Sequence, residues 1–295
     1  MKILELKDKP IFEKYLNLKK HNLSTFSFAN IFIWKDIFKI FWQVIDGALC
    51  IFMQDSIGCF MYLPPLGNKL DGNVINDCFS VMDRLNYNKD VSRIENVEKE
   101  DLEFYKPLRL NCKFKSDEYL YLKKDLISLS GNKYKSKRSA YNYFLKNYDF
   151  RYLNYNSKYK KECLQLYKNW LRQRKLKYKD SVYQKMLQDN YSTNLLALTH
   201  YKNLGLVGKI IKIDDKIKAY SLGFKLNNNT FCVLFEITDL KIKGLSQFIF
   251  REFAKELNGL HWVNIMDDSG LDNLKKVKIS YRPARLEPSY LITRN

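Results

Sequence analysis

The fold is decided by residues 230–239, which read TFCVLFEITD. Almost every residue before Glu236 is apolar, and strands that are covered on both faces of a sheet read as continuous apolar runs. Two carboxylates, Glu236 and Asp239, then arrive at the carboxyl end of this predicted strand. Ligands of layered α/β sheets bind preferentially at that edge. The stretch therefore predicts a central buried strand that ends at a binding site.

The residues that follow, KIKGLSQFIFREFAKEL (241–257), predict a helix that begins near Gly244. The first turn of a helix carries free backbone N–H groups and a positive dipole end, which together favour an anion. We expect Gly244, Leu245 and Ser246 to hold the anionic part of a ligand. Glu236, and less directly Asp239, would accept or orient a proton beside it. The alternative for Glu236 is a salt bridge to a nearby lysine or a contact with the helix dipole.

Along the whole chain, the same order of predicted elements occurs twice. A helix, an antiparallel meander of short strands and a further helix with strands indicate an α+β fold in each half. We predict one domain over residues 1–116 and a second, which carries the site, over 117–295. Separate strands are expected at 108–115, 118–122 and 195–200.

The formal net charge is +19 among 295 residues, and nearly all of the excess lies after residue 117. A one-sided positive field attracts nucleic acid, anionic lipid or phosphorylated small molecules. A coding bias towards Lys and Asn is the alternative explanation, but it would act on both halves alike.

The basic stretch SGNKYKSKRSAYNYFLKNY (130–148) predicts an amphipathic helix near 133–147. An apolar face gathers Tyr134, Tyr141, Phe144, Leu145 and Tyr148. Lys137 falls inside this apolar arc and Arg138 lies at its edge. A cation in such a position forms an internal ion pair, snorkels to solvent or binds an anion.

A third cluster, MDDSGLDNLKKVKISYRP (266–283), predicts a helix with Lys278 on its apolar face. Asp267 and Asp268 precede Gly270, where carboxylates stabilise a helix start. The alternative is a capped helix docked on the sheet, without a role in chemistry.

The spacing of the cysteines and histidines argues against a metal site and against a nucleophile paired with a histidine. The six cysteines show no C-x-x-C pair and lie mostly in apolar runs, so we expect reduced core residues and no metal. His200 and His261, both expected in strands, pair with no nucleophile. With no signal peptide and no apolar run long enough to span a membrane, we expect a cytoplasmic protein without a permanently bound cofactor.

Five motifs in order carry a family resemblance. They are STFSFANIFIWKD (24–36), YLPPLG (62–67), EYLYLKKDLISLSGNKYKSKRSAYNYF (118–144), FEITD (235–239) ahead of KGL (243–245), and VNIMDDSGLDNLKKVKISYRP (263–283). Together they resemble the catalytic domain of bacterial phosphatidylglycerol lysyltransferases, and more closely its stand-alone relatives.

The resemblance implies two tandem acetyltransferase-like (GNAT) domains. It also implies transfer of an acyl or aminoacyl group from an anionic donor, aminoacyl-tRNA or acyl-CoA, to an amine or hydroxyl. On this hypothesis Lys137, Arg138 and Lys278 line the cleft and stabilise negative charge, and Tyr281 donates a hydrogen bond to the carbonyl oxygen.

The sequence departs from the family pattern in two places. Ile237 and Thr238 stand between the acids of FEITD, where the family tends to have Lys and Ala. An acyl-CoA loop would read Gln/Arg-x-x-Gly-x-Gly/Ala, whereas the matching positions here are Lys241, Gly244 and Ser246. Two other functions stay open: a non-catalytic protein that binds RNA or an anionic membrane surface, and an ordinary acyl-CoA N-acyltransferase.

Overall fold

The structure is a computed structural model that describes residues 1–177 and 179–294. Asn295, the last residue of the predicted second domain, lies outside this range. The strands are β1 (Lys2–Ile3), β2 (Lys39–Ile45), β3 (Ala48–Gln54), β4 (Cys59–Met61), β5 (Arg93–Glu98), β6 (Asn111–Leu122), β7 (Arg151–Asn154), β8 (Val207–Ile213), β9 (Lys216–Lys225), β10 (Thr230–Thr238), β11 (Trp262–Asn264) and β12 (Arg285–Thr293).

The helices alternate with these strands along the chain. They are α1 (Lys9–Leu16), α2 (Phe28–Phe32), α3 (Gly72–Leu85), α4 (Leu102–Tyr105), α5 (Lys123–Ser128), α6 (Lys135–Asn147), α7 (Lys160–Lys177), α8 (Ser181–His200), α9 (Leu245–Lys255) and α10 (Asp272–Ile279). Short 3-10 turns join several of them, including one directly before α6.

The chain divides into two compact units. The first unit comprises residues 1–118, 267–272 and 286–295, and the second comprises 119–266 and 273–285. The C-terminal strand thus belongs to the first unit. The predicted domain bounds, 1–116 and 117–295, stay a prediction.

In the first unit the strands follow the order β1-β2-β3-β4-β5-β12. The first four form an antiparallel meander, β4 pairs with β5 in parallel, and β5 pairs with β12 antiparallel. Helix α3 is capped by Asp71, whose carboxylate accepts hydrogen bonds from the amides of Asn73 and Val74. Its buried face packs into the core with Phe41, Phe52 and Ile94.

In the second unit the order is β6-β11-β10-β9-β8-β7, and only the β10–β11 pair is parallel among the pairs described. Neighbouring residues of a strand point to opposite faces. Ala219 of β9 packs with α6 and α9, whereas the hydroxyl of Tyr220 donates to Asn194 of α8. Helices α6 and α9 therefore cover one face of this sheet, and α8 covers the other.

Three local expectations were wrong. Residues 195–200 lie in α8 and not in a strand, because the helix capped by Asp180 continues through this apolar run. Residues 108–115 and 118–122 do not form two strands; β6 continues through Ser116, whose hydroxyl bonds that of Ser289 at 3.1 Å. Leu145 of α6 is 45% exposed and leaves the buried face.

The predictions that His200 and His261 lie in strands were also wrong. His200 ends α8, and His261 precedes β11.

Candidate active site

Strand β10 contains an irregularity just before its first carboxylate. Val233 pairs with Gly223 and Phe235 pairs with Leu222, so Leu234 is an extra residue that forms a β-bulge. Gly223 allows this close approach, since a Cβ there would lie 2.3 Å from the carbonyl oxygen of Cys232. A bulge changes the direction in which the following side chains point. The side chain of Glu236 is the first charged group after this change.

The carboxyl group of Glu236 is largely withdrawn from water, although the residue as a whole is partly exposed. Among the described residues it forms no hydrogen bond and no salt bridge, which excludes the ion-pair alternative for this part of the chain. Burial raises the pKa of this carboxyl to about 8. Since a buried carboxylate without a partner is costly, the group holds its proton up to neutral pH.

Tyr281 lies close enough to Glu236 for the two groups to interact electrostatically. Burial raises the pKa of its phenol well above the ordinary value; the charge of Glu236 raises it further, and a hydrogen bond with Gln247 partly offsets both. The backbone carbonyl of Tyr281 accepts a hydrogen bond from the hydroxyl of Tyr134 at 3.1 Å. Its ring meets that of Phe250 edge-on, with 5.1 Å between the centroids. The phenol is therefore held in place as a hydrogen-bond donor.

Lys137 completes a group of three predicted site residues. Its Nζ atom lies 4.1 Å from the centroid of the Tyr281 ring, within cation–π range. Burial lowers the pKa of this ammonium group. Within the described residues no carboxylate comes within salt-bridge distance of Lys137. Tyr281, just after α10, thus contacts Lys137 of α6 and interacts electrostatically with Glu236 of β10.

Arg138, the other predicted cation of α6, is engaged with the backbone. Its Nη1 atom donates to the carbonyl oxygens of Leu129 and Gly131, both of which have positive φ angles. The guanidinium thereby fixes the turn that precedes α6. Its role in holding an anion stays a prediction.

Gly244 begins α9 in a left-handed conformation, with φ +84°. A Cβ at this position would lie 2.0 Å from the carbonyl oxygen of Ala140, so only glycine lets α6 pack this closely on the start of α9. The amide of Leu245 already donates to Ile242, and its side chain is fully buried. Of the predicted anion-binding group, Ser246 with its partly exposed side chain contributes the next first-turn amide.

Asp239 and Lys278 have strong partners of their own. The Asp239 carboxylate accepts from Lys218 at 2.9 Å and from the Lys241 amide at 3.1 Å. Although burial alone would raise its pKa, these hydrogen bonds hold the pKa of Asp239 below its ordinary value. Lys278 is buried, and its Nζ atom donates to the carbonyl oxygens of Ile265 and Met266. Catalytic roles for both residues stay predictions, and their contacts favour positioning.

Gln247 was missed by sequence reasoning. It lies in the first turn of α9, and the hydrogen bond with Tyr281 ties that turn to the phenol. The only sequence signal was its place three residues after Gly244. Nothing in the sequence indicates a partner more than thirty residues away.

No group of three or more potential metal ligands occurs among the residues that the structure describes. All six cysteines are unpaired by disulfides, and every one except Cys112 is buried. No helix in the described ranges has the length and apolar character that crossing a membrane would require.

The sequence matches the family described as phosphatidylglycerol lysyltransferase, C-terminal, over residues 17–293. A search of curated protein sequences finds no match.

Solved structures share the fold over nearly the whole chain. A conserved protein of unknown function from Bacteroides thetaiotaomicron is 25% identical with a TM-score of 0.87, over 100% of this chain and 99% of that one. L-PGS from Bacillus licheniformis is 17% identical with a TM-score of 0.64, over 97% and 92%. FemX is 10% identical with a TM-score of 0.63, over 98% and 96%.

These findings confirm the predicted α+β fold, and they confirm the family resemblance. The match over residues 17–293 covers all five motifs completely, since they lie between residues 24 and 283. The chain therefore belongs to the phosphatidylglycerol lysyltransferase C-terminal family of acyl- and aminoacyltransferases.

Proposed function

We propose that the second unit transfers an aminoacyl group from an aminoacyl-tRNA to an amine or hydroxyl acceptor. One observation carries this proposal: a carboxyl without a partner, Glu236, lies beside a neutral phenol, Tyr281, whose ring is covered by the ammonium of Lys137. A proton acceptor, a hydrogen-bond donor and a cation around one point are what acyl transfer requires.

Each group has a step in the proposed reaction. The acceptor nitrogen or oxygen attacks the carbonyl carbon of the donor ester, and its proton passes to the Glu236 carboxylate. Negative charge that develops on the carbonyl oxygen is stabilised by the Tyr281 hydroxyl and by Lys137. The ester C–O bond then breaks, and the proton returns from Glu236 to the leaving hydroxyl oxygen.

The raised pKa of Glu236 suits this role. A general base works best when its pKa lies near the working pH, and the pKa of about 8 meets that condition. Only a minor fraction of the carboxyl is ionised at neutral pH, so turnover is expected to rise with pH towards 8.

The anionic part of the donor would lie at the start of α9. Ser246 and Gln247 supply amides there, and Gly244 lets α6 approach. The excess of Lys and Arg in the second half of the chain would attract the tRNA backbone. An acyl-CoA thioester is the second candidate donor, since its pyrophosphate would use the same amides.

The test is transfer of a radiolabelled amino acid from charged tRNA to candidate acceptors. Replacing Glu236 by Gln is expected to lower turnover about 100-fold, with donor affinity unchanged. Near-normal turnover of this variant would remove Glu236 from the role of base. Absence of tRNA binding even at low salt would reject the aminoacyl-tRNA donor, and soaking with coenzyme A would then test the thioester.

A non-catalytic RNA- or membrane-binding protein is the alternative. The exposed lysines of α6, such as Lys135 and Lys146, favour a surface of this kind. Binding of RNA or anionic vesicles by wild-type protein, with no transfer to any acceptor, would support it.

A further inference from the structure

The second unit contains a cleft apart from the three residues that carry the proposed chemistry. It has a volume of about 500 Å³ and is lined by α7, by the first residues of β9 and by the segment that follows β10. Small-molecule sites in proteins typically have volumes of roughly 300–1,000 Å³. The cleft is therefore large enough for a ligand the size of a nucleotide.

One wall of the cleft is a stripe of amide side chains beside a tryptophan. Gln165, Asn169 and Gln173 are spaced four residues apart on α7, so they share one helical face. The Nε2 atom of Gln165 donates to Oδ1 of Asn169 at 3.2 Å, which aligns the two amides. Trp170 lies next to them and is partly exposed. Amides read the edges of bases and sugar hydroxyls, and an indole ring stacks on a base.

The cleft also carries cations that form no salt bridge among the described residues. The two carboxylates of the cleft are paired, Glu162 with Lys212 at 3.0 Å and Asp239 with Lys218 at 2.9 Å. Arg172, Lys216 and Lys241 also line the cleft and are exposed. In the part of the chain that the structure describes, none of these three has a carboxylate within salt-bridge distance. Three unpaired cations favour a phosphate-bearing ligand.

We propose that this cleft binds a nucleoside phosphate, with its base stacked on Trp170 and its phosphate at Lys216 and Lys241. The ligand is either a free nucleotide or a nucleotide at the end of a single-stranded RNA. The inference deepens the proposed function, and it rests on that function for the RNA source. The link is short, because Asp239 and Lys241 of the cleft lead directly into the residues that begin α9.

Isothermal titration calorimetry at low salt distinguishes the sources. The probes are AMP, CMP, ribose 5-phosphate and a short single-stranded RNA with a free 3′ hydroxyl. We expect the nucleotides to bind at least about fivefold more tightly than ribose 5-phosphate, which lacks a base to stack. Tighter binding of the RNA than of either nucleotide identifies a strand as the ligand; equal binding identifies the free nucleotide. Equal binding of ribose 5-phosphate would overturn the stacking role of Trp170.

Four variants separate this site from a general charge effect. Trp170→Ala is expected to lower nucleotide affinity about fivefold or more, and Trp170→Phe should retain most of it. Lys216→Ala should lower affinity and reduce the salt dependence by about one phosphate contact. Lys161→Ala removes the same charge from an exposed position of α7 outside the cleft and should change neither. Thermal melting checks that each variant is folded.

Two results would overturn the proposal. One is an equal loss of nucleotide affinity in Lys216→Ala and Lys161→Ala, and the other is no binding of any probe by folded wild-type protein. The outcome is distinguishable from failure of the transferase proposal. Glu236→Gln should keep full nucleotide affinity although its turnover falls, whereas Lys216→Ala should lose nucleotide affinity in a binding measurement that does not depend on turnover.

Discussion

At the scale of single residues, the state of the Glu236 carboxyl can be measured by stability alone. Its pKa is about 8 in the folded protein and has the ordinary value of 4.5 when unfolded. Between these values the folded chain holds a proton that the unfolded chain has released, so this group lowers stability as pH rises from about 4.5 to 8. Glu236→Gln does not titrate, so its melting temperature relative to wild type should increase through that window and level off above it.

Differential scanning fluorimetry from pH 5 to pH 9 provides the measurement. Glu100→Gln, which alters an exposed carboxylate, is the matched control and should follow the wild-type profile. Parallel profiles for wild type and Glu236→Gln would contradict the raised pKa.

The role of Lys137, whose ammonium lies above the Tyr281 ring, can be tested against another lysine of α6. Lys137→Met keeps the length of the side chain but removes the charge that would stabilise the carbonyl oxygen, so turnover should fall about tenfold or more. Lys135→Met removes an equal charge from the exposed side of α6 and should leave turnover nearly unchanged. A similar fall in both variants would indicate a general electrostatic effect.

At the scale of elements, the contact between α6 and the start of α9 depends on one missing side chain. Gly244→Ala combines a left-handed φ with a Cβ that meets the Ala140 carbonyl oxygen at 2.0 Å. Gly259→Ala shares the left-handed φ, but a Cβ there meets nothing within 4 Å. We expect a cost of about 1 kcal/mol at residue 259 and clearly more at residue 244. Chemical denaturation measures both, and equal losses would show that the contact with Ala140 is not limiting.

The elements also show how far sequence reasoning reaches. Strand β10 and helix α6 could be predicted, since a continuous apolar run and a 3.6-residue period are local signals. The apolar run at 195–200 fitted a strand as well as the end of α8, because only its tertiary partners distinguish the two. The bulge at Leu234 and the hydrogen bond between Gln247 and Tyr281 depend on partners far along the chain, so no local pattern reveals them.

At the scale of the whole molecule, the buried glutamates of the two units should respond differently to acid. In the first unit, burial alone would raise the pKa of Glu95 and of Glu98, but Lys115 and Arg93 hold the first low and His21 holds the second low. A carboxyl with a lowered pKa adds stability above its unfolded value, which is lost as pH falls through the folded value. Below about pH 4.5 the first unit loses this contribution, whereas Glu236 in the second unit is already protonated.

Hydrogen exchange measured by mass spectrometry at pH 7 and pH 4 follows each unit separately. Peptides from β5 should lose protection at pH 4 before peptides from β10. Glu95→Gln should weaken the first unit at pH 7 and reduce its further loss in acid. Loss of protection in β10 first would contradict this assignment.

The pairing of β12 with β5 has a consequence for biosynthesis. The ribosome releases β5 long before it makes residues 286–295, although the first unit needs both. One edge of β5 therefore stays unpaired until the entire second unit has been synthesised. Unpaired edges of nascent sheets recruit other chains, so this delay marks a period of exposure to aggregation and to chaperones. Contacts between such distant segments also slow refolding. The yield of native protein should therefore depend on how quickly translation completes the last strand.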